Sequence, residues 1–257
     1  MGKKKLGLNS PFTRRSERSS CLRTLSTLLF IDIETVPRFE HWNEVPEAER
    51  QLFEKKTAYL RKDVLPEIYY ERAGIWAEFG KVICISTGFF TSLEPTRKFC
   101  MKSFYHRDEH QLLKAFKRYL YKEFNCNTLL FCAHNGKEFD FPYLARRMLI
   151  HNIILPKALE FFGKKPWEIH HIDTLELWKF GDFKHYTSLA LLSYILGIPS
   201  PKTAMEGSDV ARVYYRDKDL RRIVRYCELD MLTVAQVYLR LNDLPLLQVA
   251  ELQGQFG

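Results

Sequence analysis

The apolar run Leu28-Leu29-Phe30-Ile31 passes directly into Asp32-Ile33-Glu34-Thr35. Branched and aromatic apolar residues in so short a run predict a buried strand. Residues two apart on a strand share a face, so Asp32 and Glu34 should project together. Val36-Pro37 ends the run, the charges of residues 44–63 have helical spacing, and residues 66–78 predict a short helix or ordered loop. Residues 81–90 and 97–104 read as two strands with Leu93-Glu94-Pro95 near their turn, which predicts an antiparallel hairpin. Leu112, Leu113, Phe116, Tyr119 and Leu120 give residues 108–124 the period of an amphipathic helix. A further buried strand over 128–133 ends in His134-Asn135-Gly136. The helix expected over 140–151 tolerates Pro142 in its first turn. Residues 169–173 are expected as the last strand, and 187–196 as a helix stopped by Gly197 and Pro199. A long helix over 217–241 should bury Ile223, Cys227, Met231, Val234, Tyr238 and Leu241. Strand, hairpin, helix, strand and helices in this order predict an α/β domain with a mixed β-sheet flanked by helices.

The length of 257 residues, 46% of them hydrophobic and 14% aromatic, suits one sizeable core. No apolar run is long enough to span a membrane. Six cysteines lie scattered without Cys-x-x-Cys pairing, several in apolar segments. That usage predicts reduced, buried thiols and a cytoplasmic setting. The net charge of +8 invites a nucleic-acid reading until it is divided. Residues 1–26 hold seven basic residues and one acid, which is +6 and leaves only +2 for the rest. This Ser- and Arg-rich leader is expected to be disordered on its own. It suits a targeting segment, a basic arm on a phosphate backbone or a non-native leader. The organisation expected is a basic leader over 1–26, one domain over 27–245 and a short tail over 246–257.

Two carboxylates leaving an apolar strand side by side repel each other unless a cation sits between them. A hard ion such as Mg²⁺ or Mn²⁺ fits oxygen ligands; a solvated turn is the plain alternative. Asp140 opens a helix, where the helix dipole and free amides should keep it ionised, whether as ligand or as cap. Asn135 beside Gly136 also suits a simple turn. Tyr226 and Asp230 are four apart on the long helix and share a face, while Glu228 is expected on the solvent side. An acid on a buried helix face is costly unless paired or metal-bound, and Tyr226 alone reads equally as core. His170-His171-x-Asp173 lacks a fourth ligand for zinc, and Asp173-Thr174 reads more simply as a helix cap. Lys184, His185 and Tyr186 suit base stacking or an ordinary surface.

Together, Asp32-x-Glu34, Asn135-x-x-x-Phe139-Asp140 and Tyr226-x-x-x-Asp230 resemble the DEDD superfamily of 3′–5′ exonucleases in its tyrosine-bearing, DEDDy branch. The histidine-bearing branch would place His where this chain has Arg225. More closely, the chain resembles the bacterial family of predicted 3′–5′ exonucleases related to the proofreading domain of family B DNA polymerases. Ala77-Glu78-Phe79-Gly80-Lys81, Ala133-His134-Asn135-Gly136, Phe180-Gly181-Asp182-Phe183-Lys184 and Leu196-Gly197-Ile198-Pro199-Ser200-Pro201-Lys202 carry that likeness. The family's usual Asp-Gly-Ser stands here as Glu206-Gly207-Ser208. The resemblance implies a ribonuclease H-like fold and two divalent ions, Mg²⁺ or Mn²⁺, on Asp32, Glu34, Asp140 and Asp230. It implies Tyr226 as the residue orienting the attacking water, and Thr35, Asn135 and Phe139 as contacts to the 3′-terminal nucleotide. The implied partner is a single-stranded 3′ end, DNA before RNA, in proofreading or DNA repair beside a separate polymerase or repair protein. The readings that compete with it are a ribonuclease D-like exoribonuclease and a silent nuclease-like binding domain.

Overall fold

The computed structural model describes residues 25–182, 184–199 and 205–254. Nearly all of the basic leader, together with Phe183, Ser200-Pro201-Lys202 and the last three residues, lies outside them. Strand β1 (Leu28–Pro37) is central in a six-stranded sheet. It pairs antiparallel with β2 (Gly80–Ser92), and β2 in turn with β3 (Lys98–Tyr105), so the predicted hairpin is present. On its other side β1 pairs parallel with β4 (Leu130–Ala133), which is followed by β5 (Ile172–Asp173). β6 (Leu252–Gln253) closes the far edge against β3. The strand expected over 169–173 is therefore two residues long, and it is not the last. Of the expected tail, Leu252–Gln253 join the sheet as this edge strand, and Arg97 holds the carbonyls of Pro245 and Leu246 and the carboxylate of Glu251.

Helices cover both faces, as expected of a mixed sheet with two apolar sides. Leu29, Ile31 and Ile33 face one side and pack with α2 (Glu109–Glu123) and α3 (Asp140–Ile150); α1 (Glu47–Arg61) lies in the segment before the hairpin. Leu28 and Phe30 face the other side and pack with Met231, Val234, Ala235 and Tyr238 of a long final helix. Between α3 and that helix come α4 (Thr174–Lys179) and α5 (Leu189–Ile195); the final helix is α6 (Leu220–Leu241). It starts three residues later than expected because Asp219 caps it, accepting from the Arg222 amide. Gly88 lets α6 lie close to the sheet, since a β-carbon there would run into Phe99 and the Met231 sulfur. A buried ion pair joins the two helices of the first face: Glu109 binds Arg147 through both oxygens, at 2.8 and 2.5 Å, and also takes the Val82 amide.

Candidate active site

Alternation along β1 builds the centre of the site. Leu28 and Phe30 face α6, so Asp32 and Glu34 face it too, further along the same strand. The apolar seam between β1 and α6 thus turns acidic where the strand nears its end. A ligand atom each of Asp32, Glu34 and Cys227 lies within 4.8 Å of the others. The Cys227 thiol donates to the Asp32 main-chain carbonyl at 3.3 Å. Glu34 is buried, and Asp32 Oδ2 is buried without a hydrogen-bond partner among the described residues.

Asp140 reaches the same place from α3. Because β4 stops pairing with β1 at Phe30, the Ile33 amide is left for the Asp140 carboxylate, which also accepts its own main-chain N–H. Asp140 is nonetheless buried, and burial outweighs those bonds and pushes its carboxyl up to about 7. That corrects the expectation that the helix terminus keeps Asp140 ionised: desolvation is the larger effect here. Asp230 comes from α6, carries the hydrogen bond of the Tyr226 hydroxyl, and is raised by burial. Asp32 is held well above the usual carboxylate range by burial, and further by the charges of Glu34, Asp230 and Asp140. Glu34 is raised by burial and then by Asp230, Cys84 and Asp140. Burial beside these acids also raises the Tyr226 phenol, which stays protonated and can donate.

The Asn135–Asp140 loop is latched from below by Asp173. Its carboxylate accepts from the amides of Asn135 and Leu175 at 2.9 Å and of Lys137 at 3.1 Å. Asn135 takes a left-handed turn at φ 60°, which Asn tolerates better than most residues. Gly136 is required by close approach, for a β-carbon there would meet Ala133 and the Phe141 ring. Phe139 precedes α3 with its ring 5.3 Å from that of Tyr143. Thr35 is half-buried, and its hydroxyl donates to the Gly74 carbonyl at 2.8 Å, an acceptor shared with Tyr143.

Glu228 does not lie on the solvent face as expected. It is 2% exposed and accepts from Ser103 Oγ at 2.7 Å, and Ser103 meets Ser86 Oγ at 3.0 Å. The cause is that α6 is buried around most of its circumference, so the side opposite Tyr226 and Asp230 is also covered. Ser86 and Ser103, paired across β2 and β3, were the available signal. Cys227 was expected only as core, yet it touches the acids. His171 is committed elsewhere: Nδ1 accepts from the Phe131 amide and Nε2 meets the Ala158 carbonyl at 2.7 Å. Burial lowers it to about 4, and with Asp173 occupied by three amides no zinc ligand set forms there.

Four carboxylates from three elements, all raised by burial and two of them, Asp32 and Glu34, also by the others, around an unpartnered oxygen, are a donor set suited to hard divalent cations. No helix of the described residues is long and apolar enough to cross a membrane. The family described as predicted 3′–5′ exonuclease related to the exonuclease domain of PolB matches residues 75–247. That span holds Asn135, Phe139, Asp140, Tyr226 and Asp230; Asp32, Glu34 and Thr35 precede it on β1. No curated protein matches the chain.

Proposed function

The chain belongs to the family of predicted 3′–5′ exonucleases related to the exonuclease domain of PolB, and from that premise we propose that it hydrolyses the terminal phosphodiester of single-stranded 3′ ends. DNA is the favoured substrate, and the products are a nucleoside 5′-monophosphate and a strand shortened by one nucleotide. The observation that carries the reading is the meeting of Asp32, Glu34, Asp140 and Asp230 beside a protonated phenol. The four carboxylates would hold two divalent ions, Mg²⁺ or Mn²⁺. Bound there, such ions supply Lewis acidity and neutralise charge on the phosphodiester.

The side chains divide the remaining work. Tyr226, tied to Asp230, holds the attacking water in line with the terminal phosphorus. Water adds to phosphorus as the bond to the 3′ oxygen breaks, and that oxygen leaves with a proton. Asn135 and Phe139, on the loop latched by Asp173, place the 3′-terminal nucleotide. Thr35 joins them through its main chain, since its hydroxyl is held by Gly74.

The test is purified full chain on 5′-labelled single-stranded DNA, duplex DNA and RNA, with Mg²⁺, Mn²⁺ or excess chelator. Release of 5′-mononucleotides from single-stranded DNA, abolished by chelator, is expected. Faster loss from RNA would move the substrate to the ribonuclease D-like reading. Degradation that persists in excess chelator would count against the metal assignment.

A further inference from the structure

The face of α2 that points away from the sheet forms a groove of about 900 Å³ with residues 151–154, the turn that follows α3. Its lining carries Lys114, Lys117 and Arg118, with Lys122 one turn on, beside the buried Ile153 and the exposed Tyr121 and Ile154. Among the described residues no acidic side chain lines it. Some exposed cations pair with acids, as Lys56 does with Glu78, Lys157 with Glu160, Arg212 with Asp209 and Asp217, and Lys122 at the groove's end with Glu123 at 3.4 Å. Among the described residues Lys114, Lys117 and Arg118 form no such pair. In a domain whose charge outside the leader is only +2, this groove sets three cations, unpaired among the described residues, side by side with no acid in its lining.

We propose that this groove is a second nucleic-acid site, holding the phosphate backbone of the strand some nucleotides upstream of the 3′ end. The inference rests on the exonuclease reading for the identity of the polyanion. α3 links the two places, starting at Asp140 and ending at Ile150, just before the groove residues His151–Ile154. Its eleven residues put the groove roughly 15 Å from the acids. That is too far for the terminal nucleotide and within reach of the strand behind it. Along α2 the cations recur at successive turns, so they follow a line rather than a point, as a strand of phosphates requires. The exposed Tyr121 ring, one turn from Lys117, offers a face for a base. An acidic protein segment would also meet the cations, but the site on the same helix axis already calls for a polyanion.

The experiment compares wild type with the triple variant Lys114→Gln, Lys117→Gln, Arg118→Gln. None of the three lies in the acid site. Anisotropy of 5′-fluorescein oligothymidylates of four and sixteen residues in chelator reads binding without cleavage. The variant should bind the sixteen-mer at least tenfold more weakly, with the slope of log affinity against log salt shallower by about 2, or 0.7 for each of three phosphates. The four-mer should bind both proteins equally. In Mg²⁺ the variant's KM should rise on the sixteen-mer with kcat unchanged. Equal binding of the sixteen-mer by both proteins, or equal losses on both lengths, would overturn the proposal; the first result would leave the groove as a surface for a protein partner. Wild type that binds the sixteen-mer through these residues yet cleaves neither oligomer would support the groove and count against the exonuclease reading instead.

Discussion

Asp32 shows most directly how the chain accepts folding cost at its site. Its carboxyl is raised by burial and by Glu34, Asp230 and Asp140; Glu34 is likewise raised by burial and by its acidic neighbours, and Asp230 by burial. In metal-free protein these groups bind protons more tightly folded than unfolded. Their stabilising effect is full below the ordinary carboxylate range and is lost as pH rises through the folded values, which for Asp140 is about 7. His134 and His171 are lowered by burial and act oppositely, but only below the ordinary histidine range. Metal-free protein should therefore melt at a lower temperature at pH 9 than at pH 7, and Mg²⁺ should restore the loss. Asp32→Asn should abolish cleavage, flatten that pH dependence, and leave the metal-free protein at least as stable as wild type; calorimetry at the two pH values checks this. Tyr226→Phe asks for less. It keeps the ring, so melting should hardly move, while single-turnover excision should fall about 10²-fold, roughly 3 kcal/mol of barrier. A wild-type rate would make Tyr226 a core residue. The shared face of Asp32 and Glu34 was legible from a period of two, and that of Tyr226 and Asp230 from one helical turn. Glu228 was not, because a helical period marks the most apolar stripe and says nothing of a second covered side.

At the scale of elements, long and strongly periodic segments were readable. β1, the hairpin, α2, α3 and α6 lie within a few residues of where the pattern puts them. β5 and β6 are two residues each, too short for any period to register, and pairing with a neighbour alone defines them. Short elements can still carry weight. Asp173 ends β5, caps α4 and binds two amides of the Asn135 loop, so one carboxylate joins three pieces of backbone. Sequence reading caught the cap and missed the latch, because the loop partners are almost forty positions away. Asp173→Ala would leave three amides without that acceptor. A loss of roughly 3 kcal/mol is expected, since a buried donor left unpaired costs about 1–3 kcal/mol and one of the three can turn to water. Beyond stability, the loop that carries Asn135 and Asp140 should loosen, and KM for a short oligonucleotide should rise. Denaturant unfolding beside steady-state kinetics separates the two effects. Unchanged kinetics in a destabilised protein would confine Asp173 to a structural role.

Three charged regions bear on a polyanion: the acids at the end of the β1–α6 seam, the cations in the α2 groove, and the basic leader. The acids repel a polyanion until they are neutralised, so affinity for a strand must come largely from elsewhere. The leader holds +6 of the net +8. Leu25, just after the leader's last charges, is buried among Leu28, Phe30 and Val234, so truncation should stop before it. Deleting residues 1–24 removes every basic residue of the leader and leaves that packing intact. The melting temperature should then stay within a degree or two of the full chain. Affinity for a single-stranded sixteen-mer should fall, and the salt slope should flatten by about 0.7 for every phosphate that the leader neutralises. Single-turnover excision at saturating oligonucleotide should stay the same, because the four acids and Tyr226 all lie between residues 32 and 230. The deletion and the groove substitutions should add when combined, since cations at separate places along one backbone release counterions independently. Salt titrations of the two single changes and the combination decide this. Binding by the truncated chain that matches the full chain at every salt concentration would assign the leader to targeting and leave the groove as the source of affinity.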